Sequence, residues 1–205
     1  MSDDKGIKVI LLGESGVGKT NLIRITIGEK FEINPVSTIS SSFCESHITV
    51  GNKKYKYYLW DTAGQEKYRS LNKLFIKDSK IVLIIFAINI KTSFENINFW
   101  NNYVKDILGN DGYMMALIGN KSDLYEEEDI VTDKEIEKKA EELGVKYKVT
   151  SALTDSQGFK EFLNGLLEEY INEYHPEEYS ELDSFQIDST KKRKNSRDND
   201  TKKCC

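Results

Sequence analysis

Apolar and polar positions repeat with two different periods along this chain, and each change of period marks an element. Ile7 to Leu12 is a short, mostly apolar run that meets a glycine-rich loop, and Lys19 to Ile27 then sets its apolar residues at helical spacing. Phe43 to Val50 and Lys54 to Trp60 flank Gly51-Asn52, the pattern of a β-hairpin. Lys80 to Ala87 and Tyr113 to Gly119 are continuous apolar runs of strand length, as suits strands covered on both faces of a parallel sheet. Between them, Phe94, Ile97, Trp100, Val104 and Leu108 predict one helix over Ser93 to Leu108. Asp133 to Leu143 predicts a helix that Gly144 ends, Lys146 to Thr150 a strand, and Gly158 to Glu173 a last helix. Strands alternating with helices imply right-handed crossovers, hence an α/β domain over residues 1–173. Its sheet has six strands, mostly parallel, with one antiparallel edge strand from the hairpin and helices on both faces.

Beyond this domain the pattern stops. Glu177, Glu178, Glu181, Asp183 and Asp188 come without a lysine or arginine, and a lysine-rich stretch follows. With few apolar residues to offset ordering entropy, residues 174–205 are expected to be a disordered tail. Composition sharpens this division. Residues 189–205 hold seven basic against two acidic side chains, which leaves −10 on the rest of a chain whose total is −5. An acidic body argues against nucleic acid as a partner, since that affinity comes from cations on phosphates. The basic tail reads either as a solvated segment or as a contact for an anionic leaflet.

At 205 residues the chain has room for a sizeable core. Its longest purely apolar run, Ile81 to Ile88, falls well short of the about 20 residues of a spanning helix. Met1-Ser2-Asp3-Asp4 offers neither the basic and apolar regions of a secretion signal nor a glycine for myristoylation, so a cytosolic start is expected. Three cysteines are too few for a disulfide framework, and Cys44 reads as a small buried side chain. His47 and His175 have no second histidine at ligand spacing, so neither is read as a metal ligand.

The chemistry starts at Gly13-Glu14-Ser15-Gly16-Val17-Gly18-Lys19-Thr20, a full match to G-x-x-x-x-G-K-[ST] between a predicted strand and a predicted helix. Backbone N–H groups of such a loop converge on one anionic group, and glycines let the backbone approach phosphate oxygens. Lys19 would reach the β- and γ-phosphates, and the Thr20 hydroxyl would take a Mg²⁺ site. Kinases, ATPases and GTPases all use this loop, so the base must be read elsewhere. Asn120-Lys121-Ser122-Asp123 ends a predicted strand, where open parallel sheets bind ligands. A carboxylate at Asp123 can accept from both N1–H and the exocyclic amino group of guanine, a donor pair adenine lacks. The stem of Lys121 can cover the ring, and a backbone N–H in Ser151-Ala152 can meet the guanine oxygen.

With Asp61-Thr62-Ala63-Gly64-Gln65 between Trp60 and Glu66, and with the final Cys204-Cys205, the chain resembles the Rab branch of Ras-like small GTPases over about residues 6 to 173 and the last dipeptide. The resemblance implies a P-loop fold, Mg²⁺ as cofactor, and GTP hydrolysed to GDP and phosphate. Thr38 would complete Mg²⁺ coordination and sense the γ-phosphate. Asp61 would hold the metal through water, the Gly64 N–H would contact the γ-phosphate, and Gln65 would orient the attacking water. Ser15, Gly16, Val17, Gly18, Lys19 and Thr20 would hold phosphate, while Asn120, Lys121, Asp123, Ser151, Ala152 and Leu153 would surround the base. Phe31 would pack edge-on against guanine, or else serve as plain core. Phe43, Trp60 and Phe75 match an aromatic trio that meets effectors, or else are core aromatics. Cys204 and Cys205 would carry two geranylgeranyl groups.

The implied partners are an exchange factor, a GTPase-activating protein, effectors, a prenylation escort and a GDP-dissociation inhibitor. The implied site of action is the cytoplasmic face of an endomembrane, in vesicle trafficking, with a soluble cytosolic pool of monomer. Four departures stand out: Ser40 where Thr-Ile-Gly is usual, Leu153 where lysine is typical, Ala87 in place of an aspartate, and Phe75-Ile76-Lys77-Asp78 in place of a tyrosine-rich segment. Two other classes fit the same motifs, a GTP-binding scaffold without turnover and a nucleotide kinase. Against them stand Gln65 and, for the kinase, only four arginines and no second base pocket.

Overall fold

The computed structural model describes residues 6–33, 42–62, 69–125, 130–176 and 180–181. A mixed sheet runs in the order β2-β3-β1-β4-β5-β6, built from β1 (Ile7–Leu12), β2 (Ser42–Val50), β3 (Lys53–Asp61), β4 (Ile81–Ala87), β5 (Met114–Asn120) and β6 (Lys146–Val149). Only the β2–β3 pairing among these six is antiparallel. The helices are α1 (Lys19–Thr26), α2 (Arg69–Ile76), α3 (Lys91–Glu95), α4 (Ile97–Leu108), α5 (Asp133–Leu143) and α6 (Ser156–Tyr174).

Strand β4 shows why the central runs are apolar throughout. Its side chains alternate between faces: Ile81, Leu83 and Ile85 join the core under α1 and α6, while Val82, Ile84 and Phe86 join the core under α3, α4 and α5. On the first face Phe159, Leu163 and Leu167 of α6 meet Val9 and Leu11 of β1. On the second, Ile97, Trp100 and Val104 of α4 lie with Ile10 and Leu12. Each large side chain in these layers contributes the apolar area it removes from water, about 25 cal/mol per Å².

Local signals set the helix ends. Thr132 caps α5 in a capping box with Glu135, and backbone and side-chain hydrogen bonds from Thr132 hold the Glu135 carboxyl below its usual range. Gly144 closes α5 in the left-handed conformation. At the start of α6, Asp155 accepts from the Gly158 N–H at 3.0 Å.

Three elements differ from the sequence reading. The helix predicted over 93–108 is two, α3 and α4, which meet at Asn96, whose φ of −76° and ψ of 0° stay in the right-handed region. Asparagine is a weak helix former, and this one turns its side chain toward the loop after β1. Helix α2 was not anticipated, because no cap or glycine announces it. Of the tail expected from residue 174, Ser180–Glu181 forms a short antiparallel strand, β7, opposite Lys54 and Tyr55 of β3. Those two residues already pair with β2, and β1 begins its pairing only at Tyr57, so β7 uses the stretch of β3 edge that β1 leaves open.

Five strands, β1 and β3 to β6, run parallel, so their carboxyl ends share one edge of the sheet. That edge carries Gly13, Asp61, Ala87, Asn120 and Thr150. Because Phe159 is fully buried between α6 and the sheet, Phe159→Ala is expected to cost about 3–5 kcal/mol. A lower urea midpoint at unchanged m value would report it, and a loss under about 1 kcal/mol would contradict the packing described.

Candidate nucleotide-binding site

The loop after β1 turns on two glycines that no other residue can replace. A Cβ at Gly13, where φ is +143°, would overlap the Ile85 carbonyl oxygen of β4. A Cβ at Gly18, where φ is +96°, would overlap the Asn120 side-chain amide. Ser15 and Gly16 are exposed at the tip, and Val17 is buried beneath it.

Lys19 opens α1 and is 6 % exposed. Its ammonium donates to the carbonyl oxygens of Gly13 at 2.9 Å and Glu14 at 2.8 Å, so its charge lies inside the loop. Burial pushes this lysine down to about 8, against the charges of Asp61 and Glu14, which raise it. An incoming polyphosphate supplies the negative charge that such a buried ammonium lacks.

Next to it, the Thr20 hydroxyl donates to Asp61 Oδ2 at 2.7 Å, bringing together the end of β3 and the start of α1. Thr62 fixes that strand end by donating to the Leu11 carbonyl at 2.7 Å. A hydroxyl and a carboxylate in contact are a hard-oxygen donor pair, which suits Mg²⁺. Among the described residues no group of three or more His, Cys, Asp or Glu is placed to hold a metal ion.

The loops after β5 and β6 face this loop. Asn120, 1 % exposed, donates through Nδ2 to the Val17 carbonyl at 2.8 Å and accepts at Oδ1 from the Ala152 N–H at 3.0 Å. Its amide is thereby committed to joining the phosphate loop to the 151–154 loop. Lys121 takes a left-handed conformation, φ +67°, which starts the turn Ser122–Leu124 and brings Asp123 round. Buried Ser151 then donates its hydroxyl to Asp123 Oδ1 and accepts from the N–H groups of Leu153 and Thr154, each at 3.1 Å. The N–H groups at 152–154 thus already have acceptors within the protein, and a base oxygen bound there shares or displaces them. Leu153 is 54 % exposed beside this loop.

Phe31 is half-buried against the core under α1 and α6. The chain around it is clamped to α1 by Asn21, which donates to the Glu32 carbonyl at 2.9 Å and accepts from the Glu32 N–H at 3.0 Å. Arg24 adds ion pairs to Glu29 and Glu32. The aromatic trio is contiguous: Phe43 stacks on Trp60 at 4.9 Å, and Trp60 meets Phe75 at 5.7 Å. Phe43 is 53 % exposed, so this group reaches the surface and is more than core. Thr38, Gly64, Gln65, Cys204 and Cys205 lie outside the described residues.

Sequence reading missed three supports of the site: the Asn21 clamp, Thr62, and the hydrogen bond from Asn96 to Glu14. Only Asn96 left a trace, as a polar residue inside an apolar helical pattern.

Phosphate loop, hard-oxygen pair and base loop at the carboxyl edge of a parallel sheet define a P-loop nucleotide-binding protein. The sequence pattern of the Ras family matches residues 8–172. Ras-related protein Rab-21 of Homo sapiens is 34 % identical over 164 residues, covering 80 % of this chain and 72 % of that protein. Ras-related protein SEC4 of Saccharomyces cerevisiae is 34 % identical over 154 residues, 75 % of this chain and 70 % of that one. Ras-related protein YPTC6 of Chlamydomonas reinhardtii is 35 % identical over 163 residues, 80 % and 74 %. The chain belongs to the Ras family, as a divergent Rab-like small GTPase and GTP hydrolase.

Because Asn120 joins two loops through one amide, Asn120→Ala is expected to weaken GDP binding at least about 100-fold, through two lost buried hydrogen bonds. Displacement of a fluorescent GDP analogue would measure it. A change under threefold would mean that the loops hold their places without this side chain.

Proposed function

We propose that this chain is a membrane-anchored switch in vesicle trafficking, which binds Mg²⁺·GTP, hydrolyses it, and presents different conformations of residues 31–43 and 64–78 to its partners. The observation that carries the reading is the Asn120 amide, since it makes the phosphate loop and the base loop two walls of one cavity. Within that cavity the backbone N–H groups of residues 15–20 take the phosphates, and Lys19 moves from its carbonyl partners to the β- and γ-oxygens. Thr20, Thr38 and Asp61 are the residues that would hold Mg²⁺, whose contribution is charge neutralisation between phosphate oxygens. The Gly64 N–H meets the γ-phosphate, and Gln65 orients the attacking water in line with the leaving oxygen.

Guanine is read by Asp123, whose carboxylate Ser151 keeps in place. Phe31, Lys121, Ala152 and Leu153 close around the ring. Hydrolysis by such a site is slow until an activating protein supplies an arginine, an effect of about 10³–10⁵. The trio of exposed Phe43 with partly buried Trp60 and Phe75 is the surface for effectors, and an exchange factor resets the cycle. Two prenyl groups on Cys204 and Cys205 satisfy the need for two membrane signals, with an escort and a GDP-dissociation inhibitor carrying the soluble monomer between cytosol and endomembrane. Among the described residues no helix is long and apolar enough to cross a membrane. Similarity to Rab-21 and SEC4 over three quarters or more of the chain supports this reading.

Two substitutions test it. Asp123→Asn is expected to shift preference from guanine toward xanthine nucleotides, measured by competition, and unchanged GTP affinity would refute the base assignment. Gln65→Leu is expected to keep GTP binding while slowing single-turnover hydrolysis at least about tenfold. An unaltered rate would remove Gln65 from the mechanism.

A further inference from the structure

A carboxylate inside a loop built for polyphosphate is a like charge in the wrong place, and this loop contains one. Glu14 directly follows Gly13, is half-buried, and lends its main-chain carbonyl to the Lys19 ammonium at 2.8 Å. Its side chain reaches the α3–α4 junction: Asn96 donates through Nδ2 to Glu14 Oε1 at 3.1 Å, over 82 residues of sequence.

Asn96 has a firm platform from which to do this. It is at once the C-cap of α3 and the N-cap of α4. Its N–H donates to the Thr92 carbonyl at 3.2 Å, and its carbonyl accepts from the Trp100 N–H at 3.1 Å. The junction is bolted to the end of β4 by buried Ser93, whose hydroxyl accepts from the Ala87 N–H at 3.0 Å and donates to the Ile90 carbonyl at 2.6 Å. Ile97 and Trp100 then bury the first turn of α4 in the core. The break in the predicted long helix falls at the residue that reaches the phosphate loop.

We propose that Asn96 is a positioning residue for nucleotide binding, which draws the Glu14 carboxylate toward the α3–α4 junction and away from the phosphates. The inference rests on the nucleotide site proposed above. Two consequences separate it from simple packing. The effect of losing Asn96 depends on the charge of Glu14, and it is screened by salt, since unlike a cavity a repulsion between ions weakens as the Debye length shrinks from about 10 Å at 0.1 M to about 3 Å at 1 M.

The test is the dissociation rate of a fluorescent GDP analogue from the full chain, in Mg²⁺ buffer, at low and high ionic strength. Asn96→Ala is expected to speed release about tenfold at low salt, from a Glu14 carboxylate no longer held toward the α3–α4 junction, with the gap narrowing at high salt. Asn96→Asp, which sets two carboxylates face to face, should speed it at least as much. Adding Glu14→Gln to Asn96→Ala should bring release back toward the wild-type rate. Acceleration that persists in the Glu14→Gln background, or that ignores salt, would overturn the proposal in favour of a packing role. So would no acceleration at all. Failure of the wild-type chain to retain the analogue would overturn this proposal and the nucleotide reading together, whereas retention without any response to Asn96→Ala overturns this proposal alone.

Discussion

The constraint on which the site depends is one fully buried amide. Asn120 ends β5, and its two polar ends reach two different loops, the Val17 carbonyl and the Ala152 N–H. Left unmade, each of these buried hydrogen bonds would cost about 1–3 kcal/mol, so the loops keep their spacing because separating them is expensive. Gly18 belongs to the same contact, because any side chain there would strike the Asn120 amide. The loops at 13–20, 120–123 and 151–154 are tied together by the one Asn120 side chain, with Gly18 leaving room for its amide.

The rest of the fold serves to hold these loops still. Five strands run parallel, so five carboxyl ends lie on one edge, and two buried apolar layers keep them in register. Against this rigid edge stands a group held at a cost. The Lys19 ammonium is buried among carbonyl oxygens and lowered by desolvation, and Asp61 and Glu14 offset only part of that penalty. A site that buries a cation without a full counter-charge is preorganised for an anion.

Much of this was legible in the sequence, because it rests on local rules. Residues 13–20 announce their own geometry, and the β4 and β5 runs, apolar on both faces, announce a covered parallel sheet. The motif at 120–123 placed Asn120 and Asp123 at the site. It could not show that the Asn120 amide is spent on bracing, or that the Ser151 side chain holds Asp123, since both are contacts between loops brought together by the sheet. For the same reason Asn96 was read as part of a continuous helix: periodicity sees the apolar face of α3 and α4 but not a polar side chain drawn off to a distant carboxylate. Helix α2 escaped because its buried Ile76 is held by tertiary packing, which periodicity does not show. The trio at 43, 60 and 75 reads either way in the sequence, and the structure divides it: Phe43 is exposed, while Trp60 and Phe75 pack against the core.

The central claim is that the loops at 13–20, 120–123 and 151–154 form one cavity that reads a guanine ring as well as its phosphates. Equilibrium displacement of a fluorescent GDP analogue from the wild-type chain, by GTP and by ATP in Mg²⁺ buffer, tests it most directly. The account predicts that GTP competes at concentrations lower than ATP by on the order of 10⁴, the discrimination available to a site that hydrogen-bonds a feature its rival lacks. Equal competition by the two nucleotides, or no binding of either, would contradict it.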